Sequence, residues 1–303
     1  MQVKLSDKVS IMFNEQGFSY CNWMLIEDDV RAVLETGVNK KGLHGLDPLS
    51  IDLILHSHYH LDHTRGNILF HNAPVAIHNS EIEPLISSSE YMHRNSMDEW
   101  ERLMPDVDIV SSHKARNFPG ELDSNDDSTS AKRKIIPLQD GQILDLGKTI
   151  VEVLHTPGHT AGHCSFLFPN EETIFTADIC LSRAGPWYGE HLSDIDDLMS
   201  SIDQIIELKP KRVVSAHRRE LIEDPIPTLS EFKSRIPRRD ERIYRYLREQ
   251  PSDIHDLAEA KLIYSHHPSV FEVFWEKLML QKHLEHLMEQ GLVRQEGNIF
   301  IGI

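Results

Sequence analysis

The sequence has 303 residues, 40% hydrophobic and 26% charged, which is enough for one large domain with a substantial core plus a small one. Its 31 Lys and Arg stand against 48 Asp and Glu, a formal net charge of −17 that repels phosphate backbones and argues against broad nucleic-acid binding. No run approaches the ~20 apolar residues of a membrane helix, residues 1–14 lack the apolar stretch of a signal peptide, and three scattered cysteines (Cys21, Cys164, Cys180) form no disulfide framework, so a reducing cytoplasm is expected.

Taken in order, residues 9–13, 20–26 and 31–34 read as strands. Residues 51–56 form a short apolar run with the character of a buried strand, ending at His56-Ser-His-Tyr-His-Leu-Asp-His63. Residues 75–78 are a further strand, and a helix starts at Glu81. Residues 87–134 are polar and weakly patterned, and read as a long insertion with one helix around 97–104 and otherwise mobile loop. Strand signals resume at 134–138, 149–154, 164–168 and 173–176. A helix over 195–208 carries Leu198, Ile202, Ile205 and Ile206 at helical spacing, and a strand over 212–216 ends at His217.

From about residue 228 the pattern turns helical, with helices at 257–262 and 274–288 and a Gly291 cap. Residues 292–303 read as a hairpin turning at Gly297-Asn298. The order suggests a winged-helix-like module, and the expected division is 1–227 for the catalytic domain and 228–303 for the tail.

The chemistry gathers at strand ends. His58, His60, Asp62 and His63 put three imidazoles and a carboxylate within six residues, a donor set suited to zinc or iron and ill suited to a core. The i, i+2 spacing lets His58 and His60 point the same way from an extended turn, while Asp62 and His63 can address a second ion. Pro157 and Gly158 form a tight turn that aims His159 inward. Asp178 follows the strand 173–176, and His217 the strand 212–216, so four strand ends bring metal-type donors to one edge.

As an ordered set these motifs resemble the metallo-β-lactamase superfamily over roughly residues 1–220. The resemblance implies a four-layer αβ/βα sandwich, with one divalent ion held by His58, His60 and His159, another by Asp62, His63 and His217, and Asp178 bridging them. Zinc is the first expectation, with iron or manganese as alternatives. Two close cations lower the pKa of a bridging water toward ~7 and polarise the scissile oxygen, and Asp62 is expected to orient that nucleophile besides binding metal. The tail resembles that of β-lactamase-like hydrolases with a C-terminal winged helix.

His60 in place of Glu separates the block from flavodiiron proteins. Acyl-homoserine lactonases typically carry a Tyr soon after the bridging Asp, whereas here none follows Asp178 until Tyr188. His155-Thr-Pro-Gly-His-Thr160 resembles the hydroxyacylglutathione hydrolase core motif, without a placeable glutathione-binding cluster. Arg183, Trp187, Tyr188 and His191 either line the substrate pocket or, for Trp187 and Tyr188, pack the loop down. His163 reads as a support, His56 as a strand-end histidine, His93 as solvated, Cys164 and Cys180 as small buried hydrophobes, and 235–242 as a solvated helix face.

The function expected is hydrolysis of an ester or thioester bond in a small molecule. A metal-dependent phosphodiesterase or endoribonuclease is the runner-up, which the charge opposes. A mononuclear iron persulfide dioxygenase would leave His63 and His217 dispensable. A winged-helix DNA-binding regulator with a metal-sensing domain would need a basic recognition helix, and residues 274–288 mix Lys277, Lys282 and His283 with Glu276 and Glu285. Neither a membrane nor nucleic acid is expected as a partner, and a homodimer is left open.

Overall fold

The computed structural model describes residues 1–15, 17, 19–108 and 133–303. Two sheets face each other. The first runs in chain order through β1 (Gln2–Lys4), β2 (Val9–Met12), β3 (Trp23–Glu27), β4 (Arg31–Leu34), β5 (Leu53–Leu55), β6 (Val75–His78) and β7 (Ile135–Leu138). Its first four strands pair antiparallel, and β4 through β7 pair parallel because helical crossovers join them. The second contains β8 (Ile143–Asp145), β9 (Ile150–His155), β10 (Cys164–Phe168), β11 (Thr173–Phe175), β12 (Arg212–Val214) and β13 (Ile222–Glu223), in the spatial order β13-β12-β11-β10-β9-β8.

Strand alternation sorts the side chains into layers. In β3, Met24 and Ile26 face the second sheet, where they join Val151, Val153, Phe166 and Phe175 in the central core. Trp23 and Leu25 point the other way, into a cluster with Phe70, Ile82 and Leu85. Leu154, Ile174 and Val213 of the second sheet likewise turn outward, against Leu198, Ile202 and Ile205. The result is the four-layer αβ/βα sandwich expected. A fully buried side chain such as Phe166 contributes about 1.5–3 kcal/mol by leaving water.

The helices are α1 (Leu61–Thr64), α2 (Ile82–Ile86), α3 (Ser88–Arg94), α4 (Trp100–Leu103), α5 (Ile195–Glu207), α6 (Ile226–Glu249), α7 (Ile254–Glu259) and α8 (Val270–Glu289). Helix α5 follows its sequence signals closely: Asp194 caps it by accepting from the Asp197 amide at 2.8 Å, and Asp196 and Asp197 sit at the positive end of its dipole.

Two expectations need correction. The stretch after residue 87 is helical at once, because Ser87 caps α3 by accepting from the Glu90 amide and apolar Trp100 and Leu103 then pack onto Phe271 and Phe274. The expected mobile loop lies in large part at 109–132, outside the described residues. Residues 235–242 are not a wholly solvated face either: they sit inside the 24-residue α6, and Ile236, Arg239 and Asp240 are buried. Pro237 lies inside this helix, which runs through it.

After α6, α7 and α8 comes the hairpin of β14 (Val293–Glu296) and β15 (Ile299–Gly302), turning at Gly297 with φ +61°. The apolar packing is continuous from Ile174 and Val213 of the second sheet to Ile243, Leu284 and Val293 of this C-terminal region. Among the described residues, no helix is long and apolar enough to cross a membrane.

Candidate metal centre

The two sheets are tied at one edge by main-chain hydrogen bonds, from Cys164 N to Ser57 O at 3.0 Å and from Asn22 N to Ala216 O at 2.7 Å. The segments leaving β5, β9, β11 and β12 all emerge there, and with them come the seven side chains singled out in the sequence. They form two groups of donors, His58, His60, His159 and Asp178 in one and Asp62, His63 and His217 in the other.

In the first group His60 Nδ1 lies 2.8 Å from His58 Nε2 and 3.2 Å from His159 Nε2. In the second, His217 Nε2 lies 3.2 Å from Asp62 Oδ2. Asp178 reaches both: its Oδ1 is 3.1 Å from His63 Nε2 and 3.2 Å from His217 Nε2, and its Oδ2 is 3.3 Å from His159 Nε2.

The far nitrogens of His58, His60 and His159 are engaged elsewhere, which decides the face each of these three rings turns inward. Ser57 Oγ lies 2.8 Å from His58 Nδ1, and His159 Nδ1 donates to the Trp187 carbonyl at 3.0 Å. Glu190 contacts His60 Nε2, and Glu35 Oε1 lies 3.4 Å from His63 Nδ1. Three imidazoles thus direct their remaining nitrogens at one buried point, an arrangement that a cation relieves, and the N and O donor set suits zinc, iron or manganese.

The electrostatics agree. Burial, and then the charge of His63, holds His58 well below its usual range. Burial alone would depress His217 too, but the Asp178 carboxylate overrides it and raises that imidazole to about 10. His63 and His60 are raised in the same way against their burial, His63 by Cys21 and Asp178 and His60 by Glu190. For Asp62 the cost of burial is outweighed by His63 and His217, which bring it down to about 2.

Other sequence candidates fall differently. Tyr188 is fully buried, its hydroxyl 2.7 Å from His283 Nε2 and accepting from Arg239 at 2.8 Å, so it packs the loop down rather than lining a pocket. Trp187 is half-buried, its ring centroid 5.8 Å from that of His60 and 5.4 Å from that of His159. Arg183 is exposed. His191 turns outward to Asp98 Oδ1 at 2.8 Å, beside His93, which is 2.8 Å from Asp98 Oδ2, so neither histidine is simply solvated. His56 is buried between Glu35 and Asn67, and His163 accepts from the Asp178 amide at 3.2 Å.

Three carboxylates escaped the sequence reading. Glu190 supports His60, and Glu35, at φ +68°, braces His56 and His63. Glu81 accepts from Thr160, Gly162 and Tyr59, and burial, then the charge of Glu190, pushes it to about 7. Their signal is faint, because a lone Glu on a strand end or loop looks like surface until its burial is known.

The family described as the metallo-beta-lactamase superfamily matches residues 17–217. The chain belongs to it. This is a superfamily of metal-dependent hydrolases, and its members bind divalent metals. Among curated proteins, the chain is 27% identical over 164 residues to a beta-lactamase-like protein 2 homolog of Drosophila melanogaster, a match covering 53% of each. It is 24% identical over 222 residues to an acyl-coenzyme A thioesterase of Bos taurus, covering 67% of this chain and 72% of that one. An N-acyl homoserine lactonase of a Bacillus species is 27% identical over 180 residues, 56% of each. The chain thus spans about half the length of the Drosophila and Bacillus relatives. In fold it is similar to a metallo-beta-lactamase family protein of Thermus thermophilus, with TM-score 0.69 and 20% identity over 99% of this chain and 100% of that one. A beta-lactamase domain protein of Burkholderia ambifaria is similar in fold too, with TM-score 0.72 and 14% identity over 100% and 93%.

Proposed function

We propose that this chain hydrolyses a thioester or ester bond of a small acyl molecule on a centre of two divalent cations. His58, His60 and His159 hold one cation, Asp62, His63 and His217 the other, and Asp178 lies between them. The observation that carries the reading is the double reach of Asp178, whose two oxygens face opposite groups of imidazoles. The complete second group argues against a mononuclear centre, which would not need it. When bound, such a pair of ions supplies Lewis acidity and a water activated near neutral pH.

The residues divide the remaining work. The Asp62 side chain is 27% exposed, against 0–13% for His63, His60, His159, Asp178 and His217, so water and substrate reach the centre beside it. Held near pKa 2, Asp62 stays ionised and orients water by accepting its hydrogen bond, and is a poor base for removing the proton. Trp187 offers an apolar wall for an acyl chain beside His60 and His159. The water oxygen attacks the acyl carbon, the C–S or C–O bond breaks, and acid and thiol or alcohol leave.

The acyl preference draws support from the acyl-coenzyme A thioesterase of Bos taurus, and from a 41-residue match, 49% identical, to a hydroxyacylglutathione hydrolase of Mesorhizobium japonicum. Three free, buried cysteines fit a reducing cytoplasm, and the C-terminal helices and hairpin fit a winged-helix-like unit that starts with α6 at Ile226 rather than at residue 228. The test is thiol release from a panel of acyl-coenzyme A and acyl-glutathione thioesters, with aryl esters and RNA alongside. Thiol release that disappears in Asp178→Ala supports the reading. RNA cleavage with inert thioesters would replace it.

A further inference from the structure

Residues 182–190 carry two supports of the centre, the Trp187 carbonyl beneath His159 and the Glu190 carboxylate beneath His60. This segment contains no helix or strand, so its main-chain groups need partners from elsewhere. The C-terminal helix α6 provides them for the carbonyls of Ser182, Arg183, Ala184 and Pro186, while Ser193 holds the Glu190 amide. Arg239 donates from Nη1 to the Pro186 carbonyl at 2.7 Å and to the Tyr188 hydroxyl at 2.8 Å, and from Nη2 to the Ala184 carbonyl at 3.1 Å. Arg235 donates from Nη1 to the carbonyls of Ser182 at 2.9 Å and Arg183 at 3.0 Å.

The contact is close. Gly185 sits at φ +89°, and a Cβ there would lie 2.7 Å from Arg239 Nη2. Arg239 is only 4% exposed, and a buried guanidinium is costly unless its donors are satisfied. Its planar fork meets several carbonyls at once, which the point charge of a lysine cannot do. The Tyr188 hydroxyl continues the cluster to His283, whose Nδ1 lies 2.7 Å from Asp240 Oδ1 on α6.

We infer that Arg239, seconded by Arg235, is a positioning residue of the metal centre. By fixing residues 182–188 it sets the Trp187 carbonyl and Glu190, and through them the rings of His159 and His60. The C-terminal region is then part of the metal-binding machinery, and its loss falls on the group formed by His58, His60 and His159. The inference rests on the reading of His60 and His159 as metal ligands.

The experiment loads full-length wild type, Arg239→Met, Arg239→Lys and Tyr188→Phe with zinc and titrates each with a chromophoric chelator, while thermal unfolding of the metal-free forms reports the fold. Wild type is expected to hold about two equivalents. Arg239→Met gives up one of them about 10-fold more readily, the effect typical of a lost outer-shell partner, and keeps the other. Arg239→Lys, which retains charge and stem with little change in packing, shifts in the same direction, so the test survives if the Met variant does not fold. Tyr188→Phe, which keeps the bonds from Arg239 to the carbonyls, behaves as wild type. A folded Arg239 variant that melts lower yet holds both equivalents as tightly as wild type overturns the inference and leaves the centre intact. A wild type that keeps no zinc overturns the centre itself.

Discussion

The Tyr59 hydroxyl donates to Glu190 Oε1 at 2.7 Å, joining the first metal-binding turn to a carboxylate 131 residues away, and that same oxygen faces His60 Nε2. Glu190 therefore makes His60 present Nδ1 to the centre. Glu190→Gln keeps the volume but removes the charge that holds the imidazole. The expected outcome is a 10–100-fold weaker hold on one metal equivalent, with the second unchanged, read by chelator competition. Wild-type affinity for both equivalents in Glu190→Gln would show that Glu190 supports the fold alone.

In the metal-free protein, protons take the place of cations. His217 is raised to about 10 and so carries charge near neutrality, and His60 and His63 are raised in the same direction. The sign for His217 follows: its contribution to stability is fully present below about 6.5 and is lost as pH rises through about 10. Metal-free protein is expected to melt progressively lower from neutral to alkaline pH, and zinc loading at pH 7 to release protons. Calorimetry in buffers of differing protonation enthalpy counts them, and no release contradicts the charged cluster.

His163 behaves in the opposite sense. It accepts at Nε2 from the Asp178 amide, so its proton sits on Nδ1, 2.9 Å from the Thr156 carbonyl. Burial first, then the charge of His159, lowers its pKa to about 3. The unfolded chain therefore binds a proton below 6.5 that the folded chain refuses, and stability falls as pH drops from 6.5 toward 3. His163→Gln is expected to flatten this decline between neutral pH and about 5.5, above the range where ordinary carboxylates titrate. Urea midpoints across that range check it, and parallel curves refute it.

The turn before His159 depends on a glycine. Gly158 has φ +116°, and a Cβ there would stand 2.2 Å from Leu198 N and 2.4 Å from Leu198 Cα, main-chain atoms of α5 that cannot yield. Gly158→Ala is expected to cost roughly 2–4 kcal/mol in urea unfolding and to loosen metal at His159. Gly45 is the control: at φ +88° with open space around it, its alanine variant carries only the backbone term, about 1 kcal/mol.

What was legible in the sequence was whatever needs a local pattern. The strands at 31–34, 75–78 and 164–168 carry β-branched and aromatic residues in short runs, and the structure has them at those bounds. The donors at strand ends were legible because His58, His60, Asp62 and His63 stand together, and because Pro157-Gly158 and the strand before Asp178 point to each remaining site. The supports were not, since Glu35, Glu81, Glu190 and Arg239 owe their roles to partners between 21 and 131 residues away. Two-residue β13 and three-residue β8, with two of its residues exposed, show too little period to detect. The helical character of α6 was legible, but the burial of Arg239 and Asp240 on it was not, because only the tertiary contacts determine which charged residues of a helix are covered.

The most direct test of the central claim is metal content by elemental analysis on full-length protein purified without added metal or chelator. Two groups of donors joined by Asp178 predict about two equivalents of zinc, iron or manganese in wild type and fewer than one in Asp178→Ala. Wild-type protein that is folded yet retains no metal, even after reconstitution, would contradict it.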